Sequence, residues 1–242
     1  MIITKANLHE LRAMDHKAGV VFLMDKPLTW TSFNVVAKVR GVLSRFNTVK
    51  RFKVGHTGTL DPLASGLLIL CAGKATKRIT EFMDQQKEYT GTITLGATRP
   101  SFDMETEIEA EFPFDHITEA QVEEAMKTFI GEILQRPPIY SAKQIQGKRA
   151  YDLARAGKEV KVPKAMVEVA TFELTAFRLP EIDFRVVCSK GTYIRSLAND
   201  IGQSLNSGAY LSALRRTASG EYNVEDALSI ADVQEALKLE SV

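Results

Sequence analysis

The segment Lys53-Val-Gly-His-Thr-Gly-Thr-Leu-Asp-Pro-Leu-Ala-Ser-Gly-Leu-Leu-Ile-Leu70 constrains this chain more than any other, because it runs a loop of restricted shape straight into an apolar strand. Gly55, Gly58 and Gly66 permit positive φ or close backbone approach. Leu67 to Cys71 reads as a short buried strand that anchors the loop. Pro62 biases the residue before it toward extended dihedrals, so the spacing predicts Asp61 held in a rigid loop and not on a solvated helix face. A fixed acid on a rigid scaffold suits nucleophilic or acid–base chemistry. Asp-Pro among glycines is also the composition of an ordinary turn, so the loop alone leaves both readings open.

The flanking sequence alternates strands and helices without a regular βαβ rhythm. Val20 to Met24 is an apolar strand, Asp25 to Trp30 a loop, and a helix begins at about Thr31. Its apolar stripe is Phe33, Val36, Val39, Leu43 and Phe46, with Thr31 or Ser32 as the cap. A short helix over Ala75 to Met83 precedes a strand from Lys87 to Gly96. There Tyr89, Gly91, Ile93 and Leu95 alternate with threonines, which turns Tyr89 inward. Thr118 and Gln121 form a capping box for a helix burying Val122, Ala125, Met126 and Phe129. Strands follow over Met166 to Phe177 and Phe184 to Ser189, and a helix after Gly191 buries Ile194, Leu197, Ala198, Ile201 and Leu205. Strands outnumber helices and connect irregularly, which predicts an α+β fold with a mixed sheet in preference to a doubly wound parallel one. Residues 1–18 read as an N-terminal extension with a short amphipathic helix near Leu8 to Met14, residues 19–242 as one domain, and Val224 to Leu239 as a closing helix.

Net charge is +1, but the charge is segregated. Residues 1–80 carry 13 Lys+Arg against 4 Asp+Glu, and residues 131–220 carry 14 against 8. Residues 81–130 reverse the balance with 3 against 12, as do residues 221–242 with 1 against 6. Two basic blocks that converge would make a polyanion-binding face; apart, they are solvated surfaces. The two cysteines, Cys71 and Cys188, fall inside apolar strands and the four histidines show no ligand spacing, so reduced core thiols and no metal are expected. The mixed, charged N-terminus resembles no secretory signal, and the first apolar run is too short to cross a bilayer, which predicts a cytoplasmic protein without a membrane partner.

Two further segments bear chemistry. Ser189-Lys-Gly-Thr-Tyr-Ile-Arg195 closes a strand, turns on Gly191 and opens a helix. Arg195 lies in the first turn, where the macrodipole disfavours a cation, so it needs an anionic partner; Asp61 is the expected one. Tyr89, Tyr193 and His56 are planar groups able to stack on an unstacked base, as well as ordinary core or loop residues. Residues from about 136 to 163 mix Pro137-Pro138 with glycines and many cations, which reads as a projecting basic insertion.

Asp25-Lys-Pro-Leu-Thr-Trp-Thr-Ser32, Val54-Gly-His-Thr-Gly-Thr-Leu-Asp-Pro-Leu-Ala-Ser-Gly66, Lys87-Glu-Tyr89, Gln135-Arg-Pro-Pro-Ile-Tyr-Ser-Ala142, Cys188-Ser-Lys-Gly-Thr-Tyr-Ile-Arg195 and Leu214-Arg-Arg216 occur in this order along the chain. Over about residues 19–228 the chain resembles the TruB family of tRNA pseudouridine-55 synthases. The resemblance implies a mixed, mostly antiparallel sheet flanked by helices, with the insertion at about 136–163 as an RNA-clamping loop. It implies isomerisation of the T-loop uridine of tRNA on a flipped-out base, without cofactor or metal, by a monomer with no obligate protein partner. Matched by motif, Asp61 is the catalytic nucleophile, Tyr89 stacks on the target base, and Arg195 pairs with Asp61. Tyr193 and Leu214 line the uracil pocket, His56 supports extruded nucleotides, and Lys26 lies near the site. The chain departs from the family where Thr29 replaces a usual glycine, and it reads as a short form without a C-terminal PUA domain. The alternative is a tRNA-binding folding chaperone without catalysis; retention of Asp61, Tyr89 and Arg195 together argues for the enzyme.

Overall fold

A computed structural model describes residues 1–140, 144–145, 148–149 and 162–238. In chain order the strands and helices are β1 (Ile2–Ile3), β2 (Val20–Lys26), α1 (Ser32–Phe46), β3 (Val54–His56), β4 (Ala64–Ala72), α2 (Ile79–Met83), β5 (Lys87–Leu95), β6 (Ala97–Thr98), β7 (Ala110–Glu111), α3 (Glu119–Lys127) and β8 (Gly131–Gln135). Then come β9 (Gln144–Ile145), β10 (Lys148–Arg149), β11 (Ala165–Arg178), β12 (Glu181–Cys188), α4 (Ile194–Ser204), β13 (Ala209–Ser219), β14 (Tyr222–Asn223) and α5 (Ile230–Ala236). Contacts group the chain into two compact units, Met1–Glu88 with Arg215–Val242, and Tyr89–Leu214, so each boundary falls inside a strand.

In the first unit β2 and β4 pair antiparallel from Val20↔Ala72 to Lys26↔Gly66, β1 joins β2 in parallel, and β3 pairs antiparallel with the end of β4. Their continuous apolar runs follow from cover on both faces. Val20, Phe22, Met24, Leu68 and Leu70 pack against Val35, Val36, Val39 and Leu43 of α1. The alternate residues Val21, Leu23, Leu67 and Ile69 pack against Ala75, Phe82 and Val224. Burying each such side chain stabilises by roughly 1.5–3 kcal/mol, so these two strands carry much of the unit's stability. Residues 1–18 join this core: Ile3 lies in β1, and Leu11, from a 3-10 helix over Lys5–Ala13, is fully buried.

Helix α1 begins at the expected cap, with the Thr31 side chain accepting the Asn34 N–H. The apolar stripe needs one correction, because Phe33 is 63% exposed. It sits seven residues from Arg40, about two turns, and therefore shares the polar face, with the Arg40 guanidinium 5.6 Å from its ring centroid. Val35 and Val42 take the buried positions in its place.

In the second unit the strand order is β13, β5, β12, β11, β8, and β11 pairs antiparallel with both β12 and β8. Helices α3 and α4 contribute Val122, Met126, Leu197 and Ile201 to a core shared with Ile93, Leu95, Phe172 and Phe184. Gly91 occurs among inward residues because a Cβ there would collide with the Ala213 carbonyl and the Phe184 ring. The architecture is thus the expected mixed, mostly antiparallel sheet with helices. Most of the basic insertion expected at about 136–163 lies outside the described residues; within it the backbone of β9 pairs antiparallel with β10. Among the described residues no helix is long and apolar enough to cross a membrane.

Candidate active site

In the first unit, β3 ends at His56 and β4 starts at Ala64, and the intervening loop is pinned on both sides of Asp61. Ser32, the first residue of α1, accepts the Leu60 N–H at 2.8 Å and donates its hydroxyl to the Leu60 carbonyl at 3.0 Å. The Thr29 N–H donates to the Pro62 carbonyl at 2.8 Å, and the Ala64 N–H closes a turn on the Asp61 carbonyl at 3.1 Å. Leu60 is buried and Asp61 half-buried, so the carboxylate projects from a backbone held at its two neighbours. The rigid loop read from Gly55 to Pro62 is therefore present.

Thr29 has φ +69°, in the left-handed region that glycine adopts freely and a β-branched residue resists. Thr29 thus adopts a backbone conformation that glycine takes freely, and from it donates the hydrogen bond to Pro62.

Three cations surround this loop. Lys26, at the end of β2, is fully buried and donates to the Pro27 and Trp30 carbonyls at 3.0 and 2.6 Å. Burial pushes its ammonium down to about 8, with Asp61 and Asp25 pulling it back up and Arg216 pressing it further down. Asp61 and Lys26 are thus electrostatic neighbours. Arg216, 3% exposed, donates to the Leu67 carbonyl at 2.6 Å and the Gly58 carbonyl at 3.3 Å. Its backbone approaches β4 so closely that a Cβ at Gly66 would collide with it. Arg215, one residue earlier, takes Asp25 in a two-pronged pair at 2.7 and 3.1 Å. His56 is held below its ordinary value first by burial and then by Arg216, so it is neutral at neutral pH. Its Nδ1 accepts the Gly58 N–H at 3.3 Å, which leaves the proton on Nε2.

In the second unit, Gly191 at φ +83° turns the chain from β12 into α4. Tyr193 is the N-cap residue of α4 and makes no side-chain cap bond. Arg195, 5% exposed, has its Nη1 3.5 Å from the Asp103 carboxylate and 3.3 Å from the Ser101 carbonyl. Asp103 is equally buried and accepts the Glu105 N–H at 3.0 Å. The anionic partner that the helix start demands is met within this unit by Asp103; the expected pairing with Asp61 stays a proposal. Tyr89 and Leu214 are half-buried and both pack on this unit's core, so Tyr89 is turned inward as its alternation implies.

Sequence reasoning missed Asp103 and assigned no role to Arg216. Asp103 is the first of five carboxylates at alternate positions, Asp103 to Glu111, and nothing local separates it from its solvated neighbours. Arg216 left a fainter mark, as the second of two consecutive arginines after Leu214 in what proves to be strand β13.

Comparison with known proteins bears on this arrangement. Residues 45–194 match the family model for the TruB family pseudouridylate synthase N-terminal domain, and residues 195–241 match that for the tRNA pseudouridylate synthase B C-terminal domain. The chain belongs to the TruB family of pseudouridylate synthases. It is 54% identical over 229 residues to the protein named tRNA pseudouridine synthase B from Phocaeicola vulgatus, covering 95% of this chain and 97% of that one. To the protein of the same name from Flavobacterium johnsoniae it is 52% identical over 225 residues, covering 93% and 98%. Among solved structures, a Cbf5-Nop10-Gar1 complex superposes with a TM-score of 0.67 at 31% identity, covering 91% of this chain. The chain spans about half the length of that matched protein, 54%.

Proposed function

We propose that this protein isomerises uridine to pseudouridine in tRNA, at position 55 of the T-loop, with Asp61 as nucleophile. The observation that carries the reading is the Asp61 loop, clamped at Leu60 and Pro62 and set beside the buried cations Lys26 and Arg216, in a chain of this family. The reaction breaks the N1–C1′ bond, rotates the uracil, forms C5–C1′, and transfers the C5 proton to solvent while N1 regains one. It is an isomerisation that consumes nothing.

In this reading Asp61 makes the temporary covalent bond, and Lys26 and Arg216 stabilise its charge. Tyr89 stacks on the extruded base and Tyr193 and Leu214 enclose it. Arg195 supplies positive charge for the acid, and neutral His56 offers a planar face and an Nε2–H to the extruded nucleotides. Extruding a base costs a few kcal/mol, which stacking and phosphate contacts offset. The phosphate contacts have a candidate surface. Lys17, Arg51, Lys53, Lys74 and Lys77, all exposed, surround a cavity of about 340 Å³ beside buried Phe52, so cations of the first basic block do converge.

The test is incubation with unmodified tRNA transcript, followed by chemical derivatisation of pseudouridine and primer extension. A single new stop at the T-loop uridine is expected, absent with Asp61→Asn, which still binds the transcript. An Asp61→Asn protein that makes product, or a stop elsewhere only, would overturn the reading.

A further inference from the structure

Helix α4 carries Arg195 in its first turn yet starts on Tyr193, whose side chain makes no cap bond. N-cap positions favour Ser, Thr, Asp and Asn because their short side chains satisfy free amides, and tyrosine cannot do this. The start of this helix is held from outside. Gln135, the last residue of β8, is 3% exposed and presents its carboxamide to the Tyr193 backbone. Its Oε1 accepts the Tyr193 N–H at 2.8 Å and its Nε2 donates to the Tyr193 carbonyl at 3.1 Å. Only this orientation of the amide satisfies both groups. That carbonyl also accepts the Ser196 and Leu197 N–H groups that open the helix. One residue along, the Ser196 hydroxyl donates to the Arg136 carbonyl at 2.8 Å. The backbone on either side of Arg195 is thus fastened to residues 135–136.

We propose that Gln135 is a positioning residue for the reaction: its carboxamide, bridging the N–H and carbonyl of Tyr193, fixes the backbone from which Tyr193 and Arg195 project. This rests on the proposed function for its catalytic consequence, but the backbone contact is independent of it. Asp103 and Ser101 anchor the far end of the Arg195 side chain, and Gln135 sets the near end. A glutamine is needed because the site asks for one acceptor and one donor on a single planar group. Glutamate keeps the acceptor and loses the donor, methionine keeps the volume and loses both.

In the Gln135→Met protein the Tyr193 amide should exchange with deuterium far faster than in wild type. Its kcat on tRNA should fall, by about 10²-fold if the guanidinium is displaced by an ångström, while KM for tRNA stays within about twofold. Gln135→Glu should fall between the two. Combined with Arg195→Lys, Gln135→Met should add little further loss, because both act on one group. Ile133→Ala, which thins the packing of the same strand, serves as the control: matched loss of Tm with unchanged kcat. The inference is overturned if the double variant loses the product of the two single effects, if Ile133→Ala loses kcat equally, or if Tyr193 stays protected in Gln135→Met. That last readout needs no substrate. Wild-type protein forming no pseudouridine would instead refute the proposed function.

Discussion

Lys26 makes the relation between this site and stability measurable. Its ammonium, at 10.5 in an unfolded chain, is lowered to about 8 in the folded protein because burial outweighs the pull of Asp61 and Asp25. Between these values the folded protein holds Lys26 neutral while the unfolded chain still binds the proton. The unfolded state then carries more protons, so stability rises with pH across this window. At about 1.4 kcal/mol for each pH unit, the rise from pH 8 to 10.5 totals about 3 kcal/mol. Below pH 8 both states are charged and the contribution is flat. Tyrosines and other lysines titrate nearby, so the quantity to follow is the difference between wild type and Lys26→Met. Urea unfolding read from the fluorescence of the single tryptophan, Trp30, which packs on the α1 side of the core, would supply it. The difference in unfolding free energy should move in favour of wild type by about 3 kcal/mol between pH 8 and 10.5. Parallel curves across that range would refute the claim that the folded protein holds this lysine uncharged at high pH.

Thr29→Gly should stabilise the protein, since a left-handed L-residue costs about 1–2 kcal/mol and glycine returns about 0.5–1 kcal/mol of that as chain entropy. A net gain of about 0.5 kcal/mol in urea unfolding is expected, with pseudouridine formation unchanged because Thr29 acts through its backbone N–H; a loss of stability would contradict the strain. Asp103→Asn should lower stability by about 3–5 kcal/mol, the range for breaking a buried ion pair. It should also lower kcat with little change in KM for tRNA, since Arg195 would lose its anchoring carboxylate; thermal unfolding and steady-state kinetics check both, and a changed KM with intact kcat would argue against a positioning role.

What was legible in the sequence divides along a physical line. Local backbone chemistry was readable: glycines and Pro62 announced a fixed loop, Thr31 and Thr118 announced helix starts, and unbroken apolar runs announced the strands β2 and β4. Side-chain partnerships across many residues were not. Asp103 and Arg195 are separated by 92 positions, and Gln135 and Tyr193 by 58, and nothing in the local pattern of either partner names the other. Phe33 shows the same limit on a smaller scale, because its hydrophobicity fits the stripe and only its angle around the helix excludes it. The consequence is that motif reading finds the proposed nucleophile, Asp61, more readily than the buried polar residues that hold the backbone and side chains of each unit in place. Those holding groups are polar residues buried by tertiary packing, and a buried polar residue looks in sequence like any exposed one. Arg216, Asp103 and Gln135 are each at most 5% exposed and each is occupied by hydrogen bonds or an ion pair. Their cost of burial is offset only by partners the fold supplies, and for that reason the structure was needed to single them out.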